Sequence, residues 1–320
     1  MPKISFLDYD STSRNDLDLT RLQACCDSLT LWPHTRPDEL REHIADADVV
    51  ISNKIVLNAE TLAQFKNQIK LICVAATGTN NIDLQAAKQF GIPVTNVRDY
   101  GSQSVAEHVI GLLFALSRQI GAYQQSIARG DWQRSNSFCL LDHPITEIAG
   151  KTFAVIGYGT LGKRTAQLAE ALGMKLMIAE REGAETIRAG RVSLDTIFTE
   201  ADVISLHCPL NEETRDLVNA ERLQQMKPSA FLINAARGGI VNEAALLEAL
   251  QQGQIAGAAI DTLEQEPPGK DSVLLSTTLP NLIITPHIAW ASQRARQTLL
   301  DQLADIISAW QKGELINAVT

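Results

Sequence analysis

The sequence predicts an α/β protein built from two doubly wound, parallel-sheet domains, with its active site in the cleft between them. Three observations carry this expectation. Short apolar runs alternate with amphipathic stretches along the chain, one glycine-rich turn joins a strand to a helix near the middle, and 320 residues are about two domains' worth of chain.

In chain order, Lys3–Leu7, Val49–Ser52, Leu71–Val74 and Pro93–Asn96 read as strands, and Pro37–Ala47 and Asp83–Phe90 between them read as helices. That rhythm is βαβ, which demands a parallel sheet. Ser102–Arg129 is compatible with one long helix, with Val105, Val109, Leu112, Leu113 and Leu116 on one face and Gly111 and Gly121 as its weak points. Such a helix can join two domains or pack against a second subunit, and a homodimer is expected. From Thr152 a stronger series follows: TFAVIG, MKLMIA, DVISL, AFLINA, QIAGAAI and NLIITP, with helical patterns at Thr160–Leu172, Ala220–Met226 and Glu243–Gln252. Short apolar runs bounded by Gly, Pro and Asn are the mark of strands buried on both faces. Pro286 closes the last strand, and Ala291–Lys312 reads as a terminal helix.

Composition removes several function classes. The longest clean apolar run, Val109–Leu116, falls far below the ~20 residues that cross a bilayer, and MPKISFLDYD lacks the basic-then-apolar pattern of an export signal. A cytoplasmic protein is expected. With 28 basic and 37 acidic residues the net charge is −9 and no basic cluster stands out, which disfavours nucleic acid and anionic membranes. The five cysteines are odd in number and form no CxxC, so they read as reduced thiols. The six histidines include no HExxH and no Cys/His cluster, so no metal is expected.

Gly157-Tyr158-Gly159-Thr160-Leu161-Gly162 is a GxGxxG that directly follows the strand TFAVI and opens a helix. In that context the first glycine allows the tight turn and the second lets a pyrophosphate approach the backbone. The third lets helix and strand pack closely, which is the Rossmann dinucleotide fingerprint. Glu180 follows the next strand, where an acid takes the ribose hydroxyls of NAD and repels the 2′-phosphate of NADP. NAD is therefore expected, with Arg181 beside it keeping NADP possible.

Hydride transfer needs a cation for a carboxylate or carbonyl, and an acid/base for the proton at oxygen. Arg237 in NAARGG, Asp261, Glu264 and Glu266 in DTLEQEP, and His287 in TPHI each stand at the carboxyl end of an expected strand, the edge where open parallel sheets bind ligands. Singly they read as a surface charge, turn residues and a histidine at a helix start. Together, behind a dinucleotide motif, they make a site.

Those residues lie in segments that carry a family resemblance. VAATGTNNIDLQAAKQFGIPVTNV (74–97), SVAEHVIGLLFAL (104–116), IAGKTFAVIGYGTLGK (148–163), ADVISLHCPLNEETRDLV (201–218), MKPSAFLINAARGGIVNEAAL (226–246), AIDTLEQEPP (259–268) and PNLIITPHIAWAS (280–292) together resemble the D-isomer-specific 2-hydroxyacid dehydrogenases over essentially the full chain, and most closely their glycerate dehydrogenase (hydroxypyruvate reductase) branch. The resemblance implies that Arg237 binds the substrate's carboxylate and carbonyl, Glu266 pairs with the catalytic histidine, and His287 is the acid/base. It implies cofactor contacts at Ser104, Gly157, Gly159, Thr160, Leu161, Gly162, Glu180, His207, Pro209, Ala235, Ala236 and Asp261. It puts Thr77, Gly78 and Trp290 beside Arg237 in the substrate site. Asn80 departs from the family's usual Asp, and Glu180-Arg181 from its commonest aspartate.

The resemblance also implies that residues 1–100 with 286–320 form a flavodoxin-like substrate domain and 101–285 the NAD(P)-binding domain, hinged near 97–101 and 285–287. The implied activity is hydride transfer between NAD(P)H and a small 2-keto acid, hydroxypyruvate or glyoxylate. The alternatives are an NAD(H)-responsive binding or corepressor protein, or a phosphoglycerate or D-lactate dehydrogenase. The complete Arg237, Glu266 and His287 set favours the enzyme.

Overall fold

Runs such as Val49-Val50-Ile51-Ser52 and Leu71-Ile72-Cys73-Val74 can be buried along their whole length only as inner strands of a parallel sheet, and that is where they lie. The computed structural model describes residues 1–320 and divides into two compact units, residues 1–101 with 291–320 and residues 102–290. His287 and Trp290 thus fall in the second unit, whereas a boundary at 285/286 would put both in the first.

The first unit holds β1 (Lys3–Phe6), β2 (Ser28–Leu31), β3 (Val49–Ser52), β4 (Leu71–Val74) and β5 (Val94–Asn96), all parallel, in the order β2-β1-β3-β4-β5. The terminal helix, Gln293–Gln311, belongs to this unit, and beyond it Val319 N–H donates to the Val94 carbonyl, covering part of the β5 edge.

The second unit holds β6 (Thr152–Ile156), β7 (Lys175–Ile178), β8 (Val203–Leu206), β9 (Phe231–Asn234), β10 (Gly257–Ile260) and β11 (Leu282–Ile284), again all parallel, in the order β11-β10-β9-β8-β6-β7. In both sheets the second strand lies on one side of the first and the third on the other. The order therefore reverses between β1 and β3, and again between β6 and β8, and such switch points are where open α/β sheets take ligands.

The expected long helix is two helices. Ser102–Ser117 buries Val105, Val109, Leu112, Leu113 and Leu116, each worth about 1.5–3 kcal/mol when fully removed from water. It stops because Gln119 turns left-handed (φ +53°) and Thr146 N–H captures the Ser117 carbonyl. Ile120–Ala128 follows as a separate helix. The other helices on the sheets mostly open on a side-chain cap, at Asn58, Asp83, Ser193, Asn219, Asn242 and Ser292, each worth about 1 kcal/mol. No helix is long and apolar enough to cross a membrane.

Candidate active site

The glycine turn sits at the second unit's switch point. Gly157 has φ +97°, and a Cβ on it would stand 2.5 Å from the carbonyl carbon of His207 and the amide nitrogen of Cys208. A Cβ on Gly162 would stand 2.1 Å from the Gly157 carbonyl oxygen. Glycine alone lets the β6 turn lie against the β8 turn and the helix Thr160–Ala171 lie against its strand. Gly159 differs, because a Cβ there would meet nothing within 4 Å and the helix that starts at it has no side-chain cap. The first N–H groups of that helix are left beside an exposed Gly159 and Thr160, with Leu161 packed inward, which is the arrangement a pyrophosphate needs.

Next to this turn, His207 Nε2 lies 2.9 Å from Ser205 Oγ while its Nδ1 is buried without a partner. Burial pulls the His207 pKa down to about 4, so the ring is neutral and has a nitrogen to offer a ligand. Pro209 follows, exposed. The cradle therefore fits a dinucleotide on its own geometry.

Glu180, after β7, is buried and fully engaged by the chain itself. Its carboxylate accepts from the N–H groups of Arg181 (2.8 Å) and Arg188 (3.2 Å) and from Arg188 Nε (2.7 Å) and Nη2. The Arg188 guanidinium, followed by the Arg181 N–H, holds its pKa well below the usual carboxylate range.

Arg237, Glu266 and His287 follow three neighbouring strands, β9, β10 and β11. After β9, Asn234 Oδ1 accepts from Ala236 N–H (3.0 Å) and Asn234 Nδ2 donates to the Arg237 carbonyl (2.9 Å), which shapes the turn through buried Ala235 and Ala236 to an exposed Arg237. A Cβ on the next residue, Gly238, would stand 1.9 Å from the Leu263 carbonyl oxygen, so only glycine brings this turn against the one that leads to Glu266. Glu266 Oε1 accepts from Leu263 N–H (2.9 Å), and its Oε2 lies 2.7 Å from His287 Nδ1.

Asp261 organises the third turn. Its carboxylate, 1% exposed, accepts from Thr285 Oγ1 (2.5 Å), Ile288 N–H (3.0 Å) and Ala289 N–H (2.9 Å), and its carbonyl accepts from His287 N–H (2.8 Å). His108 Nε2 stands 3.1 Å from Thr285 Oγ1 and 3.5 Å from Asp261. Burial raises the Asp261 pKa, but the bonds from His108, Thr285, Ala289 and Ile288 outweigh it and leave the value lowered. Trp290 Nε1 donates to the His287 carbonyl (3.0 Å), and Ser104 Oγ donates to the Ala289 carbonyl (2.7 Å). His287 is thus held in a left-handed backbone (φ +53°) by bonds from both sides.

Of the residues expected in the site, the second unit brings together Glu266, Asp261, His287, Trp290 and Ser104, has Arg237 after the neighbouring strand β9, and sets the glycine turn beside His207. Asp261 faces the 285–289 turn, and the Ser104 hydroxyl is engaged by Ala289. Thr77 and Gly78 lie in the first unit, in the loop after β4, where Asn96 Nδ2 donates to the Thr77 carbonyl (2.7 Å). Sequence reasoning gave no role to Arg188, His108, Thr285 or Asn234, the last two although they lie in segments it singled out. His108 had a signal, since it stands four residues after Ser104 on one helix face.

Comparison with known proteins agrees with this geometry. Residues 110–289 match the family described as "D-isomer specific 2-hydroxyacid dehydrogenase, NAD binding domain". The chain is 46% identical over 317 residues to a glycerate dehydrogenase of Methylorubrum extorquens, covering 99% of this chain and 98% of that one. It is 36% identical over 322 residues to a hydroxypyruvate reductase of Blautia hydrogenotrophica, covering 99% of each. A solved structure of an acyclic imino acid reductase in complex with NADPH and D-Arg superposes with a TM-score of 0.83 at 27% identity, over 99% of this chain and 100% of that one. With the dinucleotide cradle in the matched segment and relatives aligned from end to end, the chain belongs to the D-isomer-specific 2-hydroxyacid dehydrogenases, oxidoreductases that act on the CH–OH group with a nicotinamide cofactor.

Proposed function

We propose that this chain reduces a small 2-keto acid, hydroxypyruvate or glyoxylate, to its D-2-hydroxy acid. The observation that carries the reading is the His287 Nδ1 to Glu266 Oε2 bond of 2.7 Å, one strand end away from Arg237. The glycerate dehydrogenase and hydroxypyruvate reductase among its relatives support the substrate class. A nicotinamide dinucleotide, held by the turn from Gly157 to Gly162 with His207 and Pro209 beside it, supplies the hydride when bound.

The chain's own residues handle charge and proton. Glu266, on Nδ1, fixes the orientation of the ring, which leaves Nε2 to pass a proton to the substrate oxygen as it becomes an alkoxide. Arg237 has one nitrogen anchored, Nη1 donating to the Ala236 carbonyl (2.7 Å), and its remaining donors form a planar fork suited to the substrate carboxylate and carbonyl. Asp261 and Trp290 act through His287 by holding its backbone.

The same reading includes a homodimer. Phe138 is 91% exposed and Leu141 81%, close in sequence to half-exposed Trp132 and Ile145, and exposed apolar side chains gathered on one segment are the kind of surface a second copy covers. Sedimentation at the monomer mass at micromolar concentration would exclude it. For the reaction, the test is oxidation of NADH and of NADPH with hydroxypyruvate, glyoxylate, pyruvate and phosphohydroxypyruvate. The expected result is the highest kcat/KM with one of the first two, and no turnover with any of the four contradicts the reading.

A further inference from the structure

The carboxylate that the sequence offers to a ribose is already in use. Ala179 bridges Val192, and Glu180 N–H donates to the Val192 carbonyl at 2.8 Å, so the loop 181–191 returns to its starting point and lays Arg188 on Glu180. A carboxylate has about four acceptor directions, and four donors fill them here: the Arg181 N–H, the Arg188 N–H, and Arg188 Nε and Nη2. A ribose 2′- or 3′-hydroxyl finds no vacant acceptor on Glu180 unless Arg188 leaves.

The same arrangement presents positive charge. The Arg188 side chain is 54% exposed although its fork is bonded to Glu180, and Arg181 is exposed beside it. Arg191 stands 3.9 Å from Glu180, with its guanidinium 5.9 Å from the centre of the Tyr158 ring, inside the glycine turn, and Lys163 meets that ring at the same distance. Of the other acids in the loop, Glu182 is bonded to Arg222 and Glu185 is exposed. Two guanidinium groups, those of Arg188 and Arg191, therefore stand by one saturated carboxylate, with the exposed Arg181 next to it in sequence. Arg188 is half-exposed and bonds Glu180 through only Nε and Nη2 of its five-donor fork, and phosphate oxygens suit guanidinium donors.

We propose that Arg188, latched on Glu180, is the cofactor-selecting residue, and that with Arg181 and Arg191 it seats the 2′-phosphate of NADP(H), so that this chain uses NADP(H) at least as well as NAD(H). The proposal rests on the dinucleotide-binding part of the function above. Glu180 serves as the holder of Arg188, and selection reverses if Arg188 is removed, which frees Glu180 for the ribose hydroxyls.

Calorimetric binding of 2′,5′-ADP and 5′-AMP to the full chain tests this without turnover. The unaltered protein binds 2′,5′-ADP at least as tightly as 5′-AMP. Arg188→Gln lowers the affinity for 2′,5′-ADP about tenfold or more, as expected for losing a charged hydrogen bond, and leaves 5′-AMP unchanged or tighter because Glu180 is freed. Arg188→Lys, which keeps the charge and loses the fork, retains part of the phosphate preference and replaces the Gln variant if that one does not fold. An equal loss for both ligands assigns Arg188 to tying the loop and overturns the proposal, as does an unaltered protein that binds 5′-AMP alone. If neither nucleotide binds, the dinucleotide reading falls with it. Arg188-dependent binding without turnover on any keto acid leaves this proposal standing and removes the substrate assignment.

Discussion

The two units share a strand order but furnish its reversal point in opposite ways. In the first unit the place between β1 and β3 is filled by Asp8, 2% exposed, whose carboxylate accepts from the N–H groups of Asn53 (2.9 Å) and Lys54 (2.7 Å). In the second, the place between β6 and β8 is kept clear by glycines, and the helix that starts there has no side-chain cap. One switch point supplies its own anion and the other waits for one. A doubly wound sheet thus offers a ligand position by topology, and the side chains at the turn decide whether it stays available.

A second contrast lies within the buried acids. Burial raises the pKa of Asp8 despite backbone bonds from Asn53, Lys54 and Ile55, whereas four donors, two of them side chains, outweigh burial and leave Asp261 lowered. The balance of donors against desolvation sets the sign.

The comparison can be broken first at the chemistry. His287→Ala is expected to lower kcat about 10²–10⁴-fold, the range for losing a general acid/base, while NADH affinity stays within a few-fold because the glycine turn is untouched. Normal turnover in that variant would remove the acid/base from the second unit. A smaller effect is expected at the open switch point. Gly157→Val combines a left-handed backbone with a Cβ 2.5 Å from two backbone atoms, a cost of about 3 kcal/mol, so NADH affinity should fall on the order of 100-fold with binding measured by fluorescence titration. Unchanged affinity would mean the dinucleotide lies elsewhere.

The smallest effect, and the sharpest in sign, comes from the acids. Asp261 is lowered on folding, so its contribution to stability is present above the unfolded value near 4 and is lost as the pH falls through its folded value. Asp8 is raised, so its contribution is present below that value and is lost as the pH rises through its folded one. Urea midpoints between pH 3 and 8 should show the stability difference, unaltered protein minus variant, rising with pH for Asp261→Asn and falling with pH for Asp8→Asn. Each rides on a pH-independent loss of about 1–3 kcal/mol from an imperfectly replaced acceptor. Slopes of the same sign would refute the contrast.

How much of this was legible in the sequence follows from where each residue gets its constraint. Inner strands such as Val49–Ser52 and Leu71–Val74 were readable to the residue because burial on both faces forces an apolar run. Ser28–Leu31, an edge strand alternately exposed and half-buried, carried no such run and was missed. The break at Gln119 was hidden because a distant amide, that of Thr146, ends the helix, with no proline to mark it. Arg237, His287 and the acids Asp261, Glu264 and Glu266 stood out because each falls at a strand end, and the family resemblance, not the topology, singled out Glu266 among the acids. Arg188 did not, since it reaches Glu180 only after the loop between them folds back through the Ala179–Val192 bridge.

The central claim is that the second unit's switch point, and not the first unit's, receives the dinucleotide. Backbone hydrogen exchange with and without saturating NADH tests it directly. The predicted result is slowed exchange at residues 157–163 and 205–209, with residues 8–12 and 52–55 unchanged. Slowed exchange confined to the Asp8 and Asn53–Lys54 turns would contradict it.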